Sequence, residues 1–486
     1  MFKKIKEFFR VLGELKYIIP LLKYKFPDPD DNESLAHSFE KTVEEFGNNN
    51  FIFFEDESWS YSETNKAANS LANKLVEDGV THSDRVVLFM ENRPDFIISI
   101  LALNKIGAIG VLINTSLTGK PLIHCINSSD SKKCIVGAEL AASLEAVLDE
   151  INIKDKEDIY WVEDGDRFIC PEWALSLKPL LDDSKDENLA ITNMVTAKDT
   201  AFYIFTSGTT GVPKAALFPN SKIIAASINI SKGGYRINDS DCMYNCLPLY
   251  HSTGLMLGLC ACVQVGAATF IRRKFSASAF WKEAKQFNTT AFVYVGELCR
   301  YLSFQDPSEE EKDNPISSMV GNGLRPDLWD CFRNRFNVER IVEIYGASEG
   351  NALFMNLLNK DETIGMTNAR VALFEYDVAE DKLVKDTESK FIEVGEGQPG
   401  LLLVEIGPDA IYNGYTDKKA SEEKVISNVF EEGDRWFNTG DLVKTMDVGF
   451  SLGRTHYQFV DRVGDTFRWK SENVSTNEVA EILNAF

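Results

Sequence analysis

The most informative segment of this sequence is Tyr203-Ile-Phe-Thr-Ser-Gly-Thr-Thr-Gly-Val-Pro-Lys214. It begins as an apolar strand, continues through six consecutive Thr, Ser and Gly residues, and ends in Pro-Lys. Glycines let backbone N–H groups approach an anion closely, while the hydroxyls and the lysine add donors and charge. The pattern predicts a phosphate-binding loop. It is not a Walker A loop, because Lys214 follows Gly-x-Pro rather than Gly directly.

Strands and helices alternate on the N-terminal side of this loop. The sequence predicts, in order, a hairpin of 51–54 and 59–61, a helix over 64–77, a strand over 85–90, a helix over 94–106 and a strand over 108–113. This alternation is typical of a mostly parallel, doubly wound sheet. Residues 154–199 are more polar, and we interpret them as loops.

A second α/β series is predicted from Ala201 to about Gly350, and the pattern then changes. Short strands separated by turn residues, as at 369–376 and 400–406, indicate a small β-rich subdomain. The predicted fold class is therefore α/β, with two doubly wound α/β subdomains and this small β-rich subdomain in one large N-terminal domain.

Composition and charge narrow the function classes. The chain has 486 residues and a formal net charge of −23, which argues against nucleic acid as a partner because phosphate backbones bind basic surfaces. Its nine cysteines lack the spacing of a disulfide framework or a zinc site, so we expect reduced, buried thiols in a cytosol-facing protein. The uncharged run 252–271 is long enough to span a bilayer, but its three glycines and its place between α/β segments favour a buried helix and strand.

The first 25 residues differ from the acidic remainder of the chain. They contain seven Lys or Arg against two Glu, a net charge of +5, and their apolar residues recur at helical spacing. Two interpretations stay open: a helix in a membrane interface with its lysines towards anionic lipid, or an ordinary amphipathic helix packed on the body. Pro20, Pro27 and Pro29 are predicted to end this segment.

Four further motifs follow the phosphate loop in sequence order. They are Leu247-Pro-Leu-Tyr-His251, Tyr345-Gly-Ala-Ser-Glu349, Asn438-Thr-Gly-Asp441 and Asp461-Arg462. Together with the loop they resemble the signatures of the adenylate-forming superfamily, with Ser348 where threonine is usual. The stretches 275–281, 296–302, 321–326, 465–470 and 472–476 resemble, more narrowly, the fatty acid transport protein and very-long-chain acyl-CoA synthetase family. The resemblance covers the chain from about residue 50 to its end.

The resemblance implies that the protein uses ATP, Mg²⁺ and CoA, and it assigns roles to individual residues. Thr206 to Lys214 would hold the β- and γ-phosphates, Tyr345 would stack beside the adenine, Asp441 would accept from the ribose hydroxyls, and Arg462 would reach the ribose or α-phosphate. Glu349 would coordinate Mg²⁺, and His251 would lie near the reacting carboxylate. The implied nucleotide-binding residues are Thr206, Ser207, Gly208, Thr209, Thr210, Gly211, Lys214, Gly323, Tyr345, Gly346, Ser348, Asp441 and Arg462. The implied catalytic residues are Thr206, Lys214, His251 and Glu349, of which Glu349 is also the metal ligand.

Three of these polar residues have ordinary structural alternatives. Glu349 would instead cap a helix, Asp441 would form an Asx turn, and His251 would be a satisfied core histidine. The order of the motifs along one chain favours the functional interpretation.

The reaction that the resemblance implies is the ATP-dependent activation of a long-chain or very-long-chain fatty acid to an acyl-adenylate and then to acyl-CoA. Tyr294 to Glu297 would line the acyl channel, and the protein would work at the cytoplasmic face of a membrane. Three alternatives stay open: a fatty acid uptake or binding protein with weak or lost ligase activity, a ligase for a bile or aryl acid, and an enzyme that acylates a carrier protein.

Domain boundaries follow from the same resemblance. They are a basic amphipathic segment over 1–30, an AMP-binding domain over 31–461, and the start of a small α+β C-terminal domain over 462–486, with a hinge near Gly464-Asp465. The family's C-terminal domain is longer and carries a lysine that contacts the carboxylate and the α-phosphate. We therefore expect this chain to be C-terminally incomplete, and a natural short form stays open as the alternative. Ser471 stands where glycine is usual, near the thioester-forming site.

Overall fold

The computed structural model describes residues 2–153, 155–165, 168–181, 184–207, 213–346, 350–378, 380–407, 410–412, 414–415, 418–463, 467–469 and 472–474. The chain divides into two compact units. We call them the larger unit, Lys23–Tyr294 with Gln305–Met319, and the smaller unit, Met1–Leu22 with Val295–Phe304 and Val320–Phe486.

The larger unit contains a seven-stranded sheet built mainly from buried apolar runs. Neighbouring strands are parallel except for the last pair, which is antiparallel. Short, continuously apolar strands of this kind are typical of parallel sheets in α/β proteins. The predicted mostly parallel α/β fold is confirmed. In spatial order the strands are Leu175–Ser176, Ile159–Val162, Lys133–Gly137, Arg85–Phe89, Ile109–Leu112, Thr200–Ser207 and Pro213–Pro219.

The stretch 154–199, which we interpret from sequence as loops, contains two strands of this sheet, Ile159–Val162 and Leu175–Ser176, and the helix Leu177–Leu181, so that interpretation is wrong there. Ile159–Val162 is buried along its whole length and pairs in parallel with Lys133–Gly137. The run Ile-Tyr-Trp-Val is apolar and has the residue types that favour strands, but the polar residues on both sides dominate the average.

A second group of strands in the larger unit begins with the predicted hairpin. The hairpin strands are antiparallel, and the other determined pairings are parallel. The uncharged run 252–271 forms the helices Thr253–Cys260 and Ala261–Val263 and the strand Ala268–Ile271, which confirms the prediction of a buried helix and strand. Among the described residues, no helix combines the length and the hydropathy needed to cross a bilayer. In order, these strands are Glu57–Ser60, Asn50–Phe54, Ala268–Ile271, Cys242–Asn245 and Ala291–Val295.

The helices of the larger unit begin where local capping allows. Tyr61–Glu77 begins three residues before the predicted position, because the Ser60 hydroxyl accepts from the Glu63 N–H while the Glu63 carboxylate accepts from the Ser60 N–H. The α-helices are Leu35–Phe46, Tyr61–Glu77, Pro94–Lys105, Gly119–Ser128, Ala141–Glu145, Leu177–Leu181, Asn220–Ile228, Ala261–Val263, Phe280–Gln286 and Glu309–Lys312. Short 3₁₀ helices are Ala138–Leu140, Leu148–Glu150, Lys156–Asp158 and Ala190–Met194, and the π-helices are Asn229–Tyr235 and Thr253–Cys260.

The smaller unit contains the predicted β-rich subdomain, which is confirmed. Its central strand, Arg435–Met446, is antiparallel to three neighbours. Buried apolar residues such as Trp436 and Leu403 form its core. The subdomain strands are Val371–Phe374, Gly400–Glu405, Arg435–Met446, Val425–Ser427 and His456–Arg462. Three other strands lie in the order Phe354–Met355, Arg340–Tyr345 and Ser318–Asn322, and the short pairs are Tyr376–Asp377 with Lys382–Leu383 and Phe467–Trp469 with Glu472–Val474.

The remaining elements of the smaller unit are helical, and the longest is the N-terminal helix, Phe2–Lys23. It continues through Pro20, so the prediction that Pro20 ends the segment is wrong. Leu21 is buried, and packing therefore holds the turn that follows the proline despite the lost N–H donor. The other helices are Gly296–Ser303, Pro326–Asp330, Cys331–Arg335 and Lys418–Glu423.

Candidate active site

The two ends of the predicted phosphate loop are held together by an antiparallel strand pair. Thr206 lies opposite Lys214, and Ser207 lies opposite Pro213. The Thr206 hydroxyl is buried and has no hydrogen-bond partner among the described residues. A buried hydroxyl without a partner is costly unless a ligand satisfies it. The pair therefore presents a donor and a cation at the base of the loop.

The predicted His251 motif lies in a turn that Asn92 holds in place. The Asn92 side chain donates to the Leu247 carbonyl at 2.7 Å and accepts the Leu249 N–H at 2.8 Å. Asn92 is buried, whereas the His251 side chain is exposed and lies 4.6 Å from the Tyr250 ring. Partial desolvation lowers the pKa of His251 below its ordinary value, which favours the neutral imidazole near pH 7.

In the smaller unit, Asp441 contacts two other predicted residues, Tyr345 and Arg462. Its carboxylate accepts from the Tyr345 hydroxyl at 2.6 Å and lies 3.3 Å from Arg462 Nε. Asp441 is only 4 % exposed, and the strand register places it directly opposite Arg462. Burial, and then the Asp441 charge, raise the pKa of Tyr345 well above its ordinary value, so the phenol stays a donor.

The local turn beside Asp441 is formed by another residue. The Asn438 side-chain oxygen accepts the Gly440 N–H at 2.9 Å, which is the bond of an Asx turn formed by Asn438. The Asp441 carboxylate points instead at Tyr345 and Arg462. A buried carboxylate between a phenol and an exposed arginine has the acceptor chemistry that a ribose diol needs.

Gly323 lies in a turn with φ of +80°, a conformation that glycine adopts readily. Its N–H and that of Leu324 both donate to the side chain of Glu343, at 3.0 and 2.8 Å. Sequence reasoning missed Glu343 and Asn92. For Glu343 a signal was present, since it is an acidic residue two positions before Tyr345 in the otherwise apolar core of its strand.

Several predicted residues cannot be placed. Gly208, Thr209, Thr210, Gly211, Ser348 and Glu349 lie outside the described residues, as do the hinge at Gly464-Asp465 and Ser471. Gly346 is described and exposed. Within the larger unit the structure brings Thr206 opposite Lys214, and within the smaller unit it brings together Tyr345, Asp441 and Arg462. Their roles in the reaction stay predictions.

Comparison with known proteins gives the family. The model of the family described as AMP-binding enzyme matches residues 39–416. The medium/long-chain-fatty-acid–CoA ligase FadD6 of Mycobacterium tuberculosis is 37% identical over 455 residues, which cover 94% of this chain and 73% of that protein. Long-chain fatty acid transport protein 6 of Mus musculus is 38% identical over 443 residues, covering 89% of this chain and 69% of that protein.

A solved structure has the same fold at low sequence identity. The anthranilate CoA ligase AuaEII in complex with anthranoyl-AMP superposes with a TM-score of 0.75 at 18% identity, covering 94% of this chain and 82% of that one. Because the family model spans most of the chain and the two relatives match nearly all of it, the family follows from sequence. This chain belongs to the AMP-binding enzyme family.

Proposed function

We propose that this protein is an AMP-forming fatty acyl-CoA synthetase that activates long-chain or very-long-chain fatty acids. The observation that carries the proposal is the cluster of Tyr345, Asp441 and Arg462, which joins three separate motifs around one buried carboxylate. The two relatives described above support the substrate class, since one is named a medium/long-chain-fatty-acid–CoA ligase and the other a long-chain fatty acid transport protein.

The proposed reaction has two steps. A fatty acid carboxylate oxygen attacks the α-phosphorus of ATP and pyrophosphate leaves; the CoA thiol then attacks the acyl carbon, loses its proton and displaces AMP. Little covalent chemistry falls to the protein, so positioning and charge neutralisation are its main tasks. Thr206 and Lys214 would hold the phosphates, Asp441 and Arg462 the ribose, and neutral His251 would lie near the carboxylate.

We also propose that Mg²⁺ is required and that Glu349 binds it, together with phosphate oxygens. Carboxylate and phosphate oxygens are the ligands that Mg²⁺ prefers, and the ion would neutralise charge on the leaving pyrophosphate. Activity that is lost with a chelator and restored by added Mg²⁺ is the expected result. Activity that persists in the chelator contradicts this part of the proposal.

The test of the main proposal is fatty-acid-dependent ATP–pyrophosphate exchange across a series of chain lengths, with Glu349→Ala as control. Exchange that rises with long chains and is lost in the control supports the proposal. Exchange that occurs only with aryl or bile acids would show that the substrate is one of those acids and not a fatty acid. ATP and fatty acid binding without exchange in any assay would favour an uptake or binding protein. A second assay compares CoA with a phosphopantetheinylated carrier protein as acceptor.

We further propose that the N-terminal helix lies on an anionic membrane surface at the cytoplasmic face. The helix packs one face on the smaller unit through Val11 and Ile18, which contact Leu358. The side of the helix away from these residues is open: Phe9 is 66 % exposed, and Ile5 and Ile19, which lie towards the same side in helical spacing, are 47 % and 43 % exposed. Exposed apolar residues of this kind mark an interaction surface.

Charge selects anionic lipid as the partner of this face. Lys4, Lys6, Lys16 and Lys23 are exposed on the helix, whereas Glu7 and Glu14 pair with Arg10, Lys360 and Arg340 on the packed side. Phe450 adds an aromatic side chain from a hairpin of the smaller unit, with its ring 4.9 Å from that of Phe8. Aromatic and basic residues on one surface are typical of interfacial helices.

Flotation of the full chain with vesicles of phosphatidylcholine and phosphatidylglycerol tests this surface. The double variant Ile5→Ser and Phe9→Ser is expected to lose most of the binding, because it removes apolar area without touching the packed face. Ile169→Ser, which changes an exposed apolar residue of the larger unit, is the matched control. Equal binding by the double variant and the wild type contradicts the proposal.

A further inference from the structure

A buried glutamate supports the turn at Gly323, and none of the sequence motifs assigns it a role. Glu343 lies on the strand Arg340–Tyr345, two residues before Tyr345, and is 4 % exposed. One of its oxygens accepts the Gly323 N–H at 3.0 Å and the other accepts the Leu324 N–H at 2.8 Å. Because each side-chain oxygen accepts one N–H, this residue fixes two consecutive peptide groups.

The turn that Glu343 holds has little freedom of its own. Gly323 has φ of +80°, and the Leu324 carbonyl accepts from Trp329 Nε1 at 3.3 Å. Glycine samples many other backbone conformations in the unfolded chain, so fixing it in the left-handed region costs conformational entropy. Contacts with neighbouring residues must offset that cost. Glu343 on the N–H side and Trp329 on the carbonyl side supply that restraint.

The same turn touches the start of the helix Gly296–Ser303. A Cβ placed on Gly296 would lie 1.7 Å from the Gly323 carbonyl oxygen and 2.5 Å from its carbon. Side-chain atoms do not come this close to backbone, so Gly296 is fixed as glycine by the position of the turn. The backbone around Gly296, which the resemblance implies lines the acyl channel, and the turn at Gly323, which it implies binds the nucleotide, therefore share one support.

We propose that Glu343 is a positioning residue for the adenylation step: it holds the 321–326 turn, and through the Gly296–Gly323 contact it sets the start of the acyl-lining segment. This inference rests on the proposed function. It depends on the two acceptor oxygens of the Glu343 side chain, which the corresponding amide does not supply. A glutamine has one acceptor oxygen, and its NH₂ group would face the second N–H donor.

The test compares Glu343→Gln and Gly296→Ala with the wild type in ATP–pyrophosphate exchange, with KM determined separately for ATP and for fatty acid. For both variants we expect KM for ATP to rise at least about tenfold, the size of effect that a buried donor left without its acceptor produces. Gly296→Ala leaves the glutamate intact and displaces the turn from its other side, so it gives an answer even if Glu343→Gln fails to fold. Gly296→Ala is also expected to raise KM for the fatty acid.

The matched control is Glu311→Gln, which neutralises another buried glutamate, 5 % exposed, in the segment Gln305–Met319 of the larger unit. Its KM values are expected to stay within about twofold of wild type even where its unfolding midpoint falls. If both test variants catalyse exchange at the wild-type rate with unchanged KM values, the inference is overturned and the proposed function stands. A wild type that neither binds ATP nor catalyses exchange overturns the proposed function itself.

Discussion

The Thr206 hydroxyl is a single group that is predicted to contribute to phosphate binding and not to the stability of the fold. It is buried and lacks a hydrogen-bond partner among the described residues, so its removal breaks no hydrogen bond within that part of the chain. Thr206→Val is expected to keep or raise the free energy of unfolding, by up to about 1 kcal/mol, and to lower ATP–pyrophosphate exchange at least about tenfold. Urea unfolding and exchange assays measure the two quantities.

Thr206→Ser is the control for this prediction, because it keeps the hydroxyl and removes only a methyl group. It is expected to retain most of the exchange activity. If Thr206→Val is strongly destabilised, or if its exchange matches that of wild type, the hydroxyl does not serve a phosphate ligand.

Tyr345 is predicted to act on the nucleotide through Asp441. Its hydroxyl donates to the buried carboxylate at 2.6 Å, and its ring would stack beside adenine. Tyr345→Phe keeps the ring and removes the donor, so it is expected to lower the free energy of unfolding by about 1 to 3 kcal/mol and to raise KM for ATP severalfold with little change in KM for fatty acid. Unfolding curves and exchange kinetics check both, and an unchanged KM for ATP would separate Asp441 from nucleotide binding.

At the scale of elements, the N-terminal helix is attached to the smaller unit by charge as well as by packing. Glu7 accepts from Arg10 and from Lys360, and Glu14 forms a buried pair with Arg340 at 3.0 Å. Arg340 begins the strand that carries Glu343 and Tyr345. The helix therefore braces the strand on which two of the proposed site residues lie.

This attachment is predicted to weaken in acid. The Arg10 guanidinium, and then Lys360, lower the pKa of Glu7 from 4.5 to about 2 against the opposing effect of burial. Because the folded-state pKa is the lower one, the stabilisation is fully present above pH 4.5 and is lost as the pH falls towards about 2. The difference in free energy of unfolding between wild type and Glu7→Gln, measured by urea unfolding, is expected to be constant above that range and to shrink below it.

Glu388→Gln is the matched control for the acid prediction, since Glu388 is 71% exposed and pairs with Lys390 on the surface. Exposed pairs contribute little, so its difference from wild type is expected to stay near zero at every pH. A Glu7→Gln difference that does not change with pH would show that this ion pair adds nothing to the attachment.

Local signals in the sequence were sufficient for some elements and not for others. The capping residues Ser60 and Glu63 and the hairpin before them lie within a few positions of each other, so the hairpin and the helix were predictable. The strand Ile159–Val162 was missed because polar flanks hide its short apolar run. Whether the N-terminal helix packs or stays free depends on partners more than 300 positions away, and no periodicity encodes that.

The residues of the candidate site likewise fall into those that local sequence signals identify and those that they do not. Thr206, Lys214, Tyr345, Asp441 and Arg462 could be named from the sequence because each lies in a motif that resembles a known family, and their roles stay predictions. Asn92 could not be named in this way, since its bond reaches 155 positions along the chain to a backbone group that carries no sequence signal. Glu343 was missed although an acidic residue in an apolar strand is itself a signal, because the backbone N–H that it binds 20 positions away carries none. Residues that hold a site are defined by distant peptide groups, which pattern reasoning does not detect.

At the scale of the whole molecule, charge is distributed so that the acidic body and the basic N-terminus act in opposite directions on a membrane. The net charge is −23, whereas the first 25 residues carry +5 and the remaining residues −28. An anionic surface would repel the body and attract the exposed lysines of the helix. The helix is therefore expected to set the orientation in which the protein approaches lipid.

Salt dependence of vesicle binding tests this distribution of charge. We expect the full chain to float with anionic vesicles at low ionic strength and to bind less as salt screens the lysines. The part of the binding that salt does not remove is expected to come from Ile5, Phe9 and Ile19. Changing Lys4, Lys6, Lys16 and Lys23 to Gln keeps the apolar face and the packed face, so it should remove the salt-sensitive part alone. Because the acidic body then dominates, this variant should bind neutral vesicles better than anionic ones. Equal binding of wild type and variant to anionic vesicles at low salt would assign the interaction to apolar contact without electrostatic attraction.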